Sequence, residues 1–129
     1  MSWSRDRAGS VQAALSHETA LHAYGLSDVM PAETHLTVPK GFRKRPPSGV
    51  RLHRHALLAT DVSERDGYRI TTPLRTLLDV AASGLSAEHL VAAARAALDQ
   101  GLVRKRLLEA AIAEAPDGVK ARIAGIGLP

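Results

Sequence analysis

The sequence predicts an α+β fold: a small, mainly antiparallel sheet of three to four strands, packed with about four to five helices, with a helical C-terminal half. Two observations predict it. Residues 35–38 (HLTV), 50–55 (VRLHRH) and 68–71 (YRIT) are short alternating or β-branched runs, bounded by Pro, Gly and Asp-Gly turn signals. From Pro73 onward, apolar residues instead recur at helical spacing between hydroxyl caps and terminating glycines.

Taken in order, residues 1–10 are polar and predict a flexible lead-in, with Trp3 available to anchor on the body. Residues 11–15 suit either a short strand or an extra helical turn, and periodicity does not decide. Ser16 is a good N-cap, its hydroxyl able to accept a backbone N–H. Ala20, Leu21 and Tyr24 follow at helical spacing, and Gly25 is placed to stop the helix in a left-handed conformation. Ser27, Asp28 and Pro31 break the chain before the strand at 35–38, in which Leu36 and Val38 share a face.

Residues 40–49 (KGFRKRPPSG) hold two glycines and two prolines and predict a loop. In the next strand Val50 and Leu52 lie on one face, with Arg51, His53 and His55 on the other. Paired with 35–38, it predicts an antiparallel hairpin with a basic tip. Residues 57–65 predict a crossing segment, Asp66-Gly67 a turn and 68–71 a third strand.

Thr72 and Pro73 then open a helix with a hydroxyl cap and proline in the first position. Leu74, Leu77, Leu78 and Ala81 form its apolar face, and Gly84 ends it. Ser86 caps a helix over 87–100, with Leu90, Ala94, Ala97 and Leu98 inward and Gly101 as the stop. A further helix over 104–115 turns Leu107, Leu108, Ala111 and Ile112 inward, and residues 119–126 add a last turn or two. The C-terminal helices are expected to pack through Leu77, Leu78, Leu90, Leu98, Leu107 and Ile112.

A length of 129 residues suits one domain, 1–129. Aromatic residues make up only 3%, so the core must be aliphatic. The absence of cysteine excludes disulfides, thiol catalysis and thiolate metal sites. No apolar run approaches a membrane span and the N-terminus has no apolar signal core, so a cytoplasmic protein that avoids membranes is expected.

Charge is unevenly distributed. Residues 1–60 carry eight Lys/Arg against four Asp/Glu, whereas 61–129 carry nine of each. Between Thr34 and Thr60 there is no acid, while Lys40, Arg43, Lys44, Arg45, Arg51 and Arg54 supply six cations. Clustered cations on a hairpin tip suit an acidic protein surface or a phosphate backbone, and a six-to-zero imbalance is more than solubility requires. Arg104, Lys105 and Arg106 begin a helix, where cations oppose the dipole, so they are candidates for a contact, with plain exposed helix charges as the alternative.

No catalytic set emerges. There is no phosphate-binding glycine motif and no supported Ser–His–Asp order, so the chain is not expected to be an enzyme. His53 and His55 share a strand face and His35 can lie opposite, but no carboxylate or cysteine stands nearby in sequence to complete a metal site. No cofactor is therefore expected. His17 and His22 lack the i, i+4 spacing of a helical metal pair. Asp79, late in its helix, is expected to pair with Arg75 one turn earlier, a structural role.

Two blocks carry a family resemblance. The first is SHETAL at 16–21, YGL at 24–26 and HLTVP at 35–39; the second is DG at 66–67, ITTP at 70–73 and RTLLD at 75–79. In this order, over roughly residues 14–108, they resemble the C-terminal domain of AbiE-type (AbiEi) antitoxins. The resemblance implies an antitoxin of an abortive-infection toxin–antitoxin system, whose partner is a cognate AbiEii-like toxin of nucleotidyltransferase fold. In that family a DNA-binding winged helix ordinarily precedes the block. Only 15 residues precede Ser16, so the toxin-neutralising domain is expected without it. The alternative is a nucleic-acid-binding transcriptional regulator that grips the DNA backbone through the basic hairpin.

Overall fold

The computed structural model describes residues 2–6 and 11–124. Five strands, β1 (Ala14–Leu15), β2 (Thr34–Val38), β3 (Val50–Arg54), β4 (Val62–Arg65) and β5 (Tyr68–Thr71), form one sheet in the order β3-β2-β1-β5-β4. Five helices accompany it: α1 (His17–Ala23), α2 (Pro73–Ser83), α3 (Ala87–Asp99), α4 (Lys105–Glu114) and α5 (Asp117–Ala124). The α+β class and the helical C-terminal half hold. The sheet is larger than expected and mixed, because β1–β2 and β4–β5 are antiparallel while β1–β5 and β2–β3 are parallel.

The β2–β3 pairing is the main correction. Thr34 pairs with Val50 and Val38 with Arg54, so the two strands run the same way. Residues 39–49 are therefore a return crossover and not a hairpin turn. Phe42 shows why the crossover settles there: it is buried with Ala13, Leu36 and Val38, against Trp3, Leu15, Val50 and Leu52. The Trp3 and Phe42 rings meet edge to face at 5.6 Å.

The lead-in is also more ordered than expected in its described part. Ser2–Ser4 form a short 3₁₀ turn, and the buried Ser4 hydroxyl accepts the Ala13 N–H at 3.2 Å. Residues 7–10 and 125–129 lie outside the described residues, the last expected helical positions among them. Within residues 11–15, Val11 bridges antiparallel to Arg5 and Ala14–Leu15 form strand β1, so the strand reading holds. Residues 62–65, expected as part of a crossing segment, instead form edge strand β4 against β5.

The helices follow their sequence signals closely. Gly25, at φ 73°, closes α1, with Leu26 N–H donating to the Leu21 carbonyl and Gly25 N–H to that of His22. The Thr72 hydroxyl accepts Arg75 N–H and the Ser86 hydroxyl accepts His89 N–H. Ser16 departs from the expectation: its hydroxyl caps no backbone group and turns into the protein. Leu21, Leu26, Leu77, Val80, Leu90, Ala94, Ala97 and Leu108 form the main core, with Leu78, Leu98 and Ile112 packed against it.

Leu107 is the second correction. It is 54% exposed, whereas Leu108 is 1% exposed. The two are one residue apart on α4, about 100° around its axis, and only Leu108 joins the buried cluster that holds Leu77 and Leu90. Leu77→Ala and Leu108→Ala should each cost about 2–5 kcal/mol in denaturant unfolding. Leu107→Ala should stay within about 0.5 kcal/mol of the parent protein.

Candidate functional site

The crossover on one face of the sheet and the outer strand β3 beside it carry the acid-free basic stretch, with Arg51 turned to the other face alongside His53. Lys40, Arg43, Lys44 and Arg45 stand exposed on the crossover, and Arg51 and Arg54 are exposed on outer strand β3. Two of the six have internal duties. Lys44 Nζ donates to the Trp3 and Arg5 carbonyls at 3.3 and 2.6 Å, and Arg54 Nε donates to the Phe42 carbonyl at 3.3 Å. These bonds pin the lead-in and the crossover. Lys40, Arg43, Arg45 and Arg51 make no hydrogen bond or ion pair among the described residues, so their charge faces solvent.

Arg104, Lys105 and Arg106 are not brought to this surface. Arg104 is the N-cap residue of α4 and the other two lie in its first turn, with Lys105 Nζ 4.0 Å from Glu109. The opposite end of α4, about 13 Å away along its axis, faces β3.

Between that end of α4, α2 and β3 lies a cavity of about 600 Å³. His17, Thr37, His53, Arg54, His55, Arg75, Asp79, Ser83 and Glu114 line it on the polar side, and Leu78, Ala82, Pro116 and Val119 on the apolar side. The paired residues Thr37 and His53, with His35 two residues before Thr37, share the sheet face that α1 covers. The His17 and His53 rings stack at 3.6 Å between centroids. His35 Nδ1 lies 2.9 Å from His53 Nε2, and His35 Nε2 lies 3.0 Å from Glu18 Oε2. The result is a Glu18–His35–His53 chain with His17 stacked on its end.

His17 is held by its neighbours at a cost. It is buried, and its φ of 53° lies in the left-handed region that a histidine rarely adopts. Thr37 Oγ1 donates to Ser16 Oγ at 2.8 Å, and Ser16 Oγ lies 2.8 Å from His17 Nδ1. No buried polar side-chain atom lacks a partner among the described residues. Burial above all, and then the neighbouring His53 and His35 with Arg75 and His55, lowers its pKa to about 3. Burial likewise lowers that of His53, with His35 and Arg51 adding to it and Glu18 opposing. The paired imidazoles are thus neutral near pH 7.

Asp79 and Arg75 close the far side, paired as the spacing predicts. Arg75 Nη2 and Nε approach Asp79 Oδ1 at 2.8 and 2.9 Å. Burial raises the Asp79 pKa, and the Arg75 guanidinium pulls the other way.

The sequence identified His35 and His53 as neighbours but passed over His17, because its partners come from other strands. It also saw no acid for them, since Glu18 reaches His35 only through folding. The His35 and His53 nitrogens face each other and Glu18 occupies the remaining one of His35. Among the described residues no group of three or more His, Asp or Glu has the geometry to hold a metal ion.

The family model described as the AbiEi antitoxin C-terminal domain matches residues 11–125. The chain belongs to this family, so its setting is a toxin–antitoxin system. No curated protein matches it. No helix among the described residues is long and apolar enough to cross a membrane.

The depressed His17 pKa makes stability pH-dependent with a definite sign. The unfolded chain takes up a proton near pH 6.5 and the folded chain only near pH 3. Stability should therefore be full above about 6.5 and fall as pH drops towards 3, by an amount on the order of 5 kcal/mol. The raised Asp79 pKa works oppositely, favouring the folded state at acid pH. His17→Asn, which tolerates positive φ, should flatten the acid limb in urea titrations. Dialysis against a chelator should leave Tm unchanged; a drop would assign a metal to His35, His53 and His55.

Proposed function

We propose that this AbiEi-family chain is a cytoplasmic antitoxin that neutralises a nucleotidyltransferase-fold toxin by direct contact, without catalysis. The observation that carries the reading is the acid-free basic stretch that runs over the crossover and along outer strand β3. Lys40, Arg43, Arg45 and Arg51 are exposed there with no internal partner among the described residues, and no acid occurs between Thr34 and Thr60. A surface of one sign steers an oppositely charged partner into register and excludes like-charged ones. Lys44 and Arg54 support the surface from behind by holding the crossover down. Arg104, Lys105 and Arg106 form a separate exposed patch that this contact does not require.

The same cations suit a DNA backbone, which is the competing regulator reading. Phosphate contacts alone hold a duplex without selecting a sequence, which favours the protein partner.

Charge reversal separates the two. Arg43→Glu, Arg45→Glu and Arg51→Glu combined should leave folding intact, because exposed charges contribute little to stability. Lys44 is spared, since its bonds to Trp3 and Arg5 are structural. For a toxin-binding surface the triple variant should fail to neutralise the toxin in cells, mainly through slower association. If the surface grips DNA instead, neutralisation should persist. The slope of log affinity against log salt should then flatten by about 0.9 per contact removed.

A further inference from the structure

β3 ends the sheet, and its outer edge is open. Thr34 N–H donates to the Gly49 carbonyl at 2.8 Å and His55 N–H to that of Val38 at 3.0 Å. Residues 49, 51, 53 and 55 therefore aim their backbone groups at β2, and alternation turns those of Val50, Leu52 and Arg54 outward. Val50 N–H is taken by the Pro47 carbonyl at 3.3 Å. Among the described residues, Leu52 and Arg54 N–H have no backbone partner outside the sheet. The crossover does not cover them, because Phe42 anchors it on the face of the sheet against Leu36 and Val38. The bond from Arg54 Nε to the Phe42 carbonyl draws that side chain back towards the same face.

An open edge is a template for another strand. We infer that the outer edge of β3 accepts an extended acidic segment of the neutralised toxin as an added strand, an inference that rests on the antitoxin reading. Charge selects the occupant. Arg51, Arg54 and the crossover cations flank this edge with no acid among them. A second copy adding its own β3 would bring further Arg51 and Arg54 charges to an edge already flanked by cations, and like charges across strands are destabilising. Charge also selects the edge. The opposite one, β4, carries Glu64 and Arg65 and is bounded by Asp61 and Asp66, so acids outnumber cations there and it is less suited to an acidic strand.

The test compares Arg54→Pro with Arg54→Ala, which carry the same charge. Position 54 donates outward, so proline removes no bond of the native ladder yet blocks an added strand. Co-expressed with the toxin, Arg54→Pro should neutralise it less well than Arg54→Ala, because both lose the cation and its bond to the Phe42 carbonyl and only proline also loses the outward N–H, while both melt as folded proteins. Equal neutralisation by the two would overturn the inference. Should Arg54→Pro fail to fold, amide exchange on the wild-type complex decides: Leu52 and Arg54 N–H should become protected on toxin binding. Unchanged exchange at both overturns strand addition even where neutralisation is intact. Failure of the wild-type chain to neutralise any co-expressed toxin would instead overturn the antitoxin reading. Self-association of the free protein that Arg54→Pro abolishes would make a second copy the occupant and overturn the acidic segment.

Discussion

The parallel pairing of β2 with β3 is the constraint on which the rest of the structure depends. Two neighbouring strands running the same way oblige residues 39–49 to travel back the length of a strand, about 17 Å for five residues. A chain that makes such a return must cover one face of the sheet. Phe42 supplies the apolar contact that makes the return favourable. The charged residues around it cannot follow Phe42 into the core, so they are left outside along one side. The basic surface is thus the solvent-facing remainder of a crossover whose single large apolar residue is buried. The same pairing sets Thr37 beside His53 and brings the imidazoles of β2 and β3 together on the opposite face.

Most element positions were legible because they depend on local chemistry. The caps at Thr72 and Ser86 and the stops at Gly25, Gly84 and Gly101 fix helix ends within a residue or so. Strand direction was not legible. An alternating run such as VRLHR reads the same whether its neighbour runs with it or against it, and a ten-residue loop allows both. β4 escaped notice because VSER holds one apolar residue and lies at an edge, where burial leaves little mark. The choice between Leu107 and Leu108 depended on where α2 and α3 sit around α4. Alternation did place Arg51, His53 and His55 on one face, and the i, i+4 spacing did pair Arg75 with Asp79.

The site was half legible for a similar reason. Its residue types were visible, but a cluster drawn from α1, β2 and β3 has no sequence spacing to betray it. Its electrostatics also differ from what four histidines suggest. His17 is kept neutral by burial and by its neighbours, and His53 is shifted the same way, while Arg75, Asp79 and Glu114 bring charged groups to the cavity wall. The imidazoles act there as flat, stackable hydrogen-bonding groups. The strained backbone at His17 and the loss of its hydration both oppose folding, and the bonded Thr37–Ser16–His17 row and the stacking on His53 offset them.

The edge-to-face contact between Trp3 and Phe42 has an optical consequence. Trp3 is the only tryptophan in the chain, so all of its indole emission originates at the point where the lead-in and the crossover meet. Lys44 ties the backbone of Trp3 to the crossover within the basic stretch itself. Any molecule that displaces the crossover on engaging those cations must alter the surroundings of the indole. The helical half, which has no tryptophan, can rearrange without contributing an indole signal of its own. The protein thus carries a built-in fluorophore confined to the side of the sheet where a partner would arrive.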